Sequence, residues 1–403
     1  MFPTVAGYAK TPKTKRMALP SSTPVDGRTT TAQGKFLRVQ LLCLALIGVQ
    51  RDETVSSRAI FHVCFISMVI MDLATILFAL EHANDIALVC DCLGPTFTAY
   101  LGIVKQYCLS AHRVELWNII ETLRRLKDYA QADEIVSIER NNKIDRILAT
   151  AYLVSASATG SLFIFAALAK GFYKLIFQNS IEWGLPLSLS FPFNTSQPII
   201  FALFFIWSSA AIYIVVFCSV SSDASFGGLA SNVVVHFKLL QKRLQDTTFT
   251  DNDENLKYLI EYHSLLLDLS QKLMSSFRVI IINNLLVASV LLCVLGFQLV
   301  MFLGSTLMLI YFMYVTAIVI QITFFAYYGS LLSHESEAVG NAIYCSNWYE
   351  ATPKTRRILL QCLMRAQVPV NTKAGFMVAS LPTLRAILNS AGSYVALLLS
   401  FTD

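Results

Sequence analysis

Four charged side chains lie inside long apolar stretches of the sequence: Asp72, Asp91, Lys105 and Arg385. An ionised group loses much solvation free energy when it moves from water into hydrocarbon, so such residues are rare there. In one interpretation, they mark a pathway for an ion or a ligand. In the other, they pair with one another or extend their charged ends towards a water interface.

Catalytic chemistry is not indicated by the other reactive side chains. The nine cysteines and six histidines are scattered, without the spacing of a zinc site. His334 and Glu335 begin an HExxH-like pattern, but its second histidine is missing. Glycine patterns for phosphate or dinucleotide binding and the Gly-x-Ser-x-Gly elbow are also absent. We therefore predict a protein that is not an enzyme and uses neither a metal nor a cofactor.

Aromatic and small residues recur at helical spacing in several apolar stretches. Aromatic walls with a few hydroxyl groups and no charge suit a small, nearly neutral, apolar ligand. The alternative is that these side chains only pack against neighbouring helices or lipid. The candidate ligand-binding residues are Phe97, Tyr100, Ser157, Gly160, Phe163, Ile164, Phe204, Trp207, Tyr311 and Tyr314.

The composition predicts an all-α polytopic membrane protein, because 55% of the residues are hydrophobic and only 14% are charged. A helix needs about 20 apolar residues to cross a bilayer. A shorter stretch, 36–49, carries Arg38 and fits a re-entrant or interfacial segment better than a span. Seven stretches are long enough, and we predict seven transmembrane helices at 59–80, 86–111, 147–169, 199–220, 279–303, 307–332 and 376–401.

The distribution of Lys and Arg predicts the orientation. With seven spans, one set of loops and the N-terminal segment holds 27 of the 31 basic residues, whereas the opposite set holds only Lys170 and Lys174. The positive-inside rule therefore places the N-terminus in the cytosol and the C-terminus outside. Asn194 begins an Asn-x-Ser/Thr sequon in the largest outside loop, and is a candidate glycosylation site.

Helical periodicity continues into the segments assigned to the cytosol. Apolar stripes on both sides of 250–254 predict a hairpin of two helices that extend spans four and five. A further helix is predicted after Thr352, with Pro353 in its first turn. The apolar faces pack within the subunit or against another subunit.

The predicted segments are 1–58 (cytosolic, with the short re-entrant or interfacial helix), 59–220 (spans one to four), 221–278 (cytosolic anchor), 279–332 (spans five and six), 333–375 (cytosolic anchor helices) and 376–403 (helix seven).

The C-terminal stretch is the most distinctive part of the sequence. Together with the cytosolic N-terminus, the seven spans and the length of 403 residues, it resembles the insect odorant receptor family over nearly the whole chain. The related gustatory receptors typically carry a Thr-Tyr…Gln-Phe motif that is absent here, and G-protein-coupled receptors have the opposite orientation. The residues that carry the resemblance are Arg365-Ala366-Gln367 with Pro369, Ala374-Gly375-Phe376, Ser380-Leu381 and Ser393-Tyr394.

This resemblance implies a subunit of a tetrameric, ligand-gated, non-selective cation channel in the plasma membrane of a sensory neuron dendrite. Helix seven would line the pore and the cytosolic helices would form the intersubunit anchor. The partners would be a small volatile ligand and co-receptor subunits in a heterotetramer. The co-receptor carries a much longer insertion between spans four and five, and segment 221–278 is short. We therefore expect the ligand-specific subunit.

The resemblance also implies roles for residues of helix seven. Leu397 and Phe401 match the hydrophobic gate and Ser400 a polar pore residue, although Phe401 is bulkier than an aliphatic gate residue. Helical spacing places Ser393 and Leu397 on one face, together with Asn389. A ring of apolar side chains closes a pore by excluding water. Alternatively, the serines hydrogen-bond within the bundle.

Two other functions remain as alternatives at this stage. The first is a gustatory-type channel subunit, which would differ in ligand polarity and would not require the co-receptor. The second is a solute transporter, although the sequence shows no internal repeat of the kind that transporters contain.

Overall fold

The computed structural model describes residues 36–177, 184–192, 197–249, 254–302, 304–305, 307–370, 373–375 and 377–400. These ranges contain ten α-helices, one 3₁₀ turn at Trp348–Glu350 and one antiparallel pair of short strands, β1 (Lys373–Ala374) and β2 (Met377–Val378). The helices are α1 (Arg38–Leu46), α2 (Val55–Glu81), α3 (Ile86–Ala111), α4 (Arg113–Asp128), α5 (Ala132–Phe177), α6 (Pro198–Asp246), α7 (Glu254–Met301), α8 (Leu307–Tyr344), α9 (Pro353–Ala366) and α10 (Leu381–Ser400).

Several helix starts follow directly from the local sequence. The Thr54 hydroxyl accepts a hydrogen bond of 3.1 Å from the backbone N–H of Ser57 and caps α2. Pro198 and Pro353 occupy the first position of α6 and α9, where a missing N–H costs no helical hydrogen bond. The predicted helix after Thr352 is therefore confirmed.

Three helices are much longer than a membrane is thick. α5, α6 and α7 contain 46, 49 and 48 residues, which corresponds to about 70 Å each, whereas the hydrocarbon core of a bilayer is about 30 Å. The predicted continuation of spans four and five as helices is confirmed. Of the predicted turn at 250–254, only Glu254 lies within the described residues, where it begins α7.

Five helices in the described part of the chain are long and apolar enough to cross a membrane: α2, α5, α6, α7 and α8. The two remaining predicted spans correspond to α3, with 26 residues, and α10, with 20 residues. The protein is therefore an all-helical, multi-pass membrane protein. The count of seven spans stays a prediction.

α6 is the central element of the fold. It packs most extensively against α8 and α5, and also contacts α7, α1 and α3. Every residue from Cys218 to Val234 is buried. A helix that is buried on all sides must be surrounded by other helices, which explains why this stretch combines apolar, small and polar residues instead of one apolar stripe.

The segment 36–49 forms the short helix α1, which packs against α5 and α6. Gln40 is 1% exposed, and its Nε2 donates a 2.9 Å hydrogen bond to Asp145 Oδ2 on α5. Gly228 of α6 permits this approach, since an added Cβ would lie 2.5 Å from Leu37 Cδ2. The helix is thus held by protein contacts on its Gln40 side.

A polar cluster joins α5, α6 and α7 outside the predicted spans. Arg243 of α6 forms a bidentate ion pair with Glu134 of α5, with Nε 2.6 Å from Oε1. The same guanidinium donates a 2.7 Å hydrogen bond to the Tyr258 hydroxyl on α7. The nearby ring of His236 hydrogen-bonds to Tyr262, also at 2.7 Å. These contacts fix the three long helices to one another.

α10 begins at Leu381, five residues after the predicted start of the last span, because β1 and β2 precede it. It packs on α7 and α8. Two glycines allow α10 and the residues just before it to approach α7 and α8 closely. An added Cβ at Gly296 of α7 would lie 2.6 Å from Val395 Cγ2, and one at Gly329 of α8 would lie 2.3 Å from the carbonyl oxygen of Ala379.

We expect Gly329→Ala to destabilise the protein by about 1–3 kcal/mol, because the new methyl group meets backbone that cannot rotate away. Gly340→Ala on the same helix is the matched control. Its Cβ would make an ordinary contact of 3.5 Å with Ala366, and alanine has the higher helix propensity. Thermal unfolding of the detergent-solubilised variants measures the difference. Equal melting temperatures for the two variants would contradict the close packing of α8 on Ala379.

Candidate ligand-binding site

A cavity of about 110 Å³ lies among α2, α3, α5, α6 and α8. Leu187, from the segment 184–192, contributes to the wall. The lining residues are mostly apolar or small, and none of those in the described part of the chain is charged. They are Met71, Pro95, Thr98, Tyr152, Ala156, Thr159, Gly160, Phe163, Leu187, Ile212, Val215, Val216, Ser219, Tyr314, Ala317, Ile318 and Gln321.

Most polar groups in the wall are already hydrogen-bonded to the protein. The hydroxyls of Thr98 and Tyr314 hydrogen-bond to each other, and each lies 2.9 Å from the carbonyl oxygen of Gly94, which accepts from this pair. The Thr159 hydroxyl donates to the carbonyl oxygen of Ser155 at 3.1 Å. A ligand therefore meets an apolar surface, and a neutral, largely hydrocarbon molecule fits it best.

Polar contacts gather around Pro95 on α3. It lies inside the helix and lines the cavity, and proline supplies no backbone N–H for the carbonyl group four residues earlier. Threonine hydroxyls bond to carbonyl groups in this part of α3, with Thr96 donating to Cys92 at 2.8 Å beside the bond from Thr98 to Gly94. The Tyr314 hydroxyl adds a contact from α8.

Three of the ten candidate ligand-binding residues line this cavity: Gly160, Phe163 and Tyr314. The rings of Phe163 and Tyr314 meet edge to face, with centroids 5.9 Å apart. Gly160 lets α5 approach α6 closely, because an added Cβ would lie 3.0 Å from Ile212 Cγ2. The structure thus brings together candidates from two helices that are distant in sequence.

The remaining candidates lie outside the cavity lining. Tyr311 donates a 2.7 Å hydrogen bond to Asp91 Oδ1 and stacks on Phe302, and the Tyr100 hydroxyl donates to Asn283 at the surface. Phe97, Ser157 and Ile164 are half-buried, and both Phe97 and Ile164 pack against the hydrophobic core. Phe204 and Trp207 form an aromatic cluster with Phe191.

Five lining residues are not among the candidates predicted from the sequence: Met71, Thr98, Tyr152, Ser219 and Gln321. A usable signal existed for two of them, since Pro95 inside an apolar stretch marks an irregular helix near Thr98, and Gln321 is an amide within a predicted span. The others carried no signal of this kind, because which face of each helix turns inwards depends on the neighbouring helices.

Comparison with known proteins gives the family. The family model for 7tm odorant receptors matches residues 85–392, about three quarters of the chain. The chain belongs to the odorant receptor family. The match includes Arg365-Ala366-Gln367 and most of α10, so the resemblance inferred from the C-terminal stretch is confirmed.

Individual relatives cover nearly the full length of this odorant receptor. Odorant receptor 82a of Drosophila melanogaster is 28% identical over 382 residues, which cover 91% of this chain and 99% of the relative. Odorant receptor 9a of the same species is 27% identical over 399 residues, covering 94% and 99%. The insect olfactory receptor OR5 of Machilis hrabei, solved in complex with eugenol, has the same fold, with a TM-score of 0.78 at 16% identity over 90% of this chain and 97% of that one.

One charge within the predicted spans of this odorant receptor has a buried partner. Lys105 Nζ of α3 lies 2.9 Å from Asp223 Oδ2 of α6, and these side chains are 1% and 0% exposed. The same carboxylate oxygen accepts a 2.9 Å hydrogen bond from the Tyr152 hydroxyl of α5. Because Tyr152 also lines the cavity, the ion pair is linked to the cavity through a single side chain.

The other charges in the predicted spans have different environments. Asp91 accepts hydrogen bonds from Tyr311 and from Ser188 of the segment 184–192. Asp72 Oδ1 is buried and has no hydrogen-bond partner within the described residues. Arg385 is exposed on α10, and no hydrogen bond or ion pair joins it to another described residue.

The candidate pore residues lie at the end of α10. Ser393 and Leu397 are exposed, as are Asn389 and Arg385 on the same side of the helix. The Ser393 hydroxyl donates to the carbonyl oxygen of Asn389 at 3.1 Å. Ser400 is the last residue of α10, while Phe401 and the candidate glycosylation site Asn194 lie outside the described residues.

We expect Lys105→Met to destabilise the protein by about 3–5 kcal/mol, because Asp223 is left as a buried, unpaired charge. Combining it with Asp223→Asn should recover much of the loss, since the neutral amide still accepts the Tyr152 hydrogen bond. Melting temperatures of the purified single and double variants test this coupling. Lys272→Met, which breaks an exposed pair with Asp268 on α7, is the control and should change little. A double variant no more stable than the single one would refute the pairing.

Proposed function

We propose that this odorant receptor is the odorant-specific subunit of a heteromeric, ligand-gated, non-selective cation channel. A small volatile organic molecule binds in the cavity, and a pore lined by α10 opens. The observation that carries this proposal is the cavity itself, an uncharged space walled by five helices and bounded by Gly160, Phe163 and Tyr314. The solved relative in complex with eugenol supports a small ligand for this fold.

The proposed topology has seven spans, with the N-terminus in the cytosol and the C-terminus outside the plasma membrane. The basic residues support it, because only Lys170 and Lys174 fall on the outer side. In this orientation the Arg243–Glu134 cluster belongs to the cytosolic anchor, formed by 221–278 and 333–375 together with the start of α5. Asn194 is then available for glycosylation on the outer side.

The proposed gate is the ring formed by Leu397 and Phe401 of each subunit, with Ser393 and Ser400 as polar residues of the pore wall. Contacts within the subunit supply a route from ligand to gate. α8 lines the cavity with Tyr314, Ala317 and Gln321. α10 packs on α8, and Gly329 of α8 lies against Ala379, two residues before α10. If the ligand binds more tightly to the receptor with α8 in one of two arrangements, binding favours that arrangement and the arrangement of α10 that packs against it.

The proposed assembly is a heterotetramer with co-receptor subunits in the membrane of a sensory neuron dendrite. The assay that tests the proposal is whole-cell current in cells expressing this chain alone, the co-receptor alone, or both, during exposure to a panel of volatiles. Current that requires both chains and only some volatiles supports it. Surface-expressed complexes that stay silent to every volatile would overturn it.

In the same assay, we expect Ala156→Leu to raise the half-maximal concentration of activating volatiles at least tenfold, because the added atoms occupy the cavity that Ala156 lines. Ala158→Leu is the matched control, since Ala158 is exposed on the same helix and should leave the response unchanged. Similar dose–response curves for the two variants would show that ligands bind elsewhere.

We expect Leu397→Ser to raise the current measured without ligand several-fold, because a hydroxyl group weakens the exclusion of water from an apolar constriction. Leu388→Ser is the control. Leu388 is also partly exposed, but it lies nine residues earlier and therefore on the opposite face of α10. An unchanged basal current in Leu397→Ser, or an equal rise in both variants, would argue against Leu397 as a gate residue.

A further inference from the structure

The cavity wall contains one amide whose hydrogen-bonding capacity is mostly unused. Gln321 of α8 is 7% exposed and lines the cavity. Its Nε2 donates a 2.6 Å hydrogen bond to Asn284 Oδ1 of α7, and no other hydrogen bond of this side chain is found within the described residues. A primary amide has two N–H donors and an oxygen with two acceptor positions. One donor and the oxygen are therefore available to a bound molecule.

Asn284 anchors this amide from behind. It is 1% exposed, and its Nδ2 has no hydrogen-bond partner within the described residues. Exchanging oxygen and nitrogen in both amides gives an equally good pair, in which Asn284 donates to Gln321. In both arrangements Gln321 keeps at least one unpaired N–H. The pair thus offers a donor to the cavity whichever way the amides are oriented.

Four of the other five polar side chains of the wall have no free donor. Thr98, Tyr152, Thr159 and Tyr314 all donate their hydroxyl protons to protein oxygens. The remaining hydroxyl belongs to Ser219 of α6. This residue is 9% exposed, and no hydrogen bond joins its hydroxyl to another described residue. Gln321 and Ser219 therefore carry the free donors of the described wall, and of these two only Gln321 is held in place by a second side chain, Asn284.

We propose that Gln321 is the specificity-determining residue of the cavity, and that the preferred ligands are neutral, mostly hydrocarbon molecules with one carbonyl oxygen, such as ketones and esters. This inference rests on the proposed function, because it assumes that the cavity is the ligand site. A hydrocarbon of the same shape would cover the amide without replacing its hydrogen bond to water. Such a mismatch is worth about a tenfold difference in affinity.

The test compares a methyl ketone with the alkene in which a =CH₂ group replaces the carbonyl oxygen. Their half-maximal concentrations are measured on co-expressed channels, and the ketone-to-alkene ratio is compared between the wild type and Gln321→Met/Asn284→Leu. The double variant removes both amides, so neither is left buried without its partner. Using a ratio within each variant cancels differences in surface expression. Ser219→Ala removes the other free donor of the wall and is measured in the same way, which distinguishes the two side chains.

The ratio should rise about tenfold in the double variant and stay within twofold of wild type in Ser219→Ala. An unchanged ratio in a double variant that still opens would overturn the role of Gln321, and leave the proposed function intact. Activation of the wild type by other volatiles, but by no carbonyl compound, would overturn the ligand class alone. Silence of the wild type towards every volatile would overturn the proposed function and this inference together.

A second measurement applies if the double variant does not reach the surface. Wild-type channels are tested with straight-chain ketones of one length whose carbonyl group occupies successive positions. A fixed donor at Gln321 produces a sharp optimum at one position, since the chain ends meet the same walls in every isomer. Equal half-maximal concentrations across the series would overturn the proposal.

Discussion

The buried ion pair between Lys105 and Asp223 constrains the centre of the molecule. Two charges without water are stable only when they remain in contact and their other hydrogen-bonding positions are filled. α3 and α6 must therefore keep one relative position, and Tyr152 adds α5 through its hydroxyl. The cavity lies against this junction. Its shape is consequently defined by helices that cannot separate without exposing a charge to a low-dielectric environment.

Within that frame, the wall of the cavity is made apolar by satisfying its own polar groups. The hydroxyls of Tyr314, Thr98 and Thr159 hydrogen-bond to protein oxygens, and no charged residue of the described chain lines the cavity. Discrimination between ligands then comes mainly from fit, where one methylene group changes the binding free energy by about 1–3 kcal/mol. A single polar contact, such as the one proposed for Gln321, adds chemical selectivity to a site that otherwise distinguishes ligands by their size and shape.

Close contacts at small residues connect the helices around the cavity with α10 and the residues just before it. Gly329 brings α8 against Ala379, and Gly296 brings α7 against Val395. Contacts this close leave little room for independent motion, because a packed interface has discrete arrangements and does not deform continuously. In the proposed mechanism, a shift of α8 around a ligand is transmitted to the segment just before α10. The proposed coupling needs no direct contact between the ligand and the proposed pore.

The sequence by itself determined the family, the helical class and the continuation of α6 and α7 beyond the predicted spans, since these depend on motif residues and on apolar periodicity along one chain. It also indicated Gly160, Phe163 and Tyr314. Only the tertiary structure decided that Tyr311, one turn from Tyr314, bonds to Asp91 outside the cavity. Hydropathy assigned Asp223 to a cytosolic segment, whereas folding buries it beside Lys105. The physical reason is that helical spacing fixes which residues share a face, but the neighbouring helices fix what that face contacts.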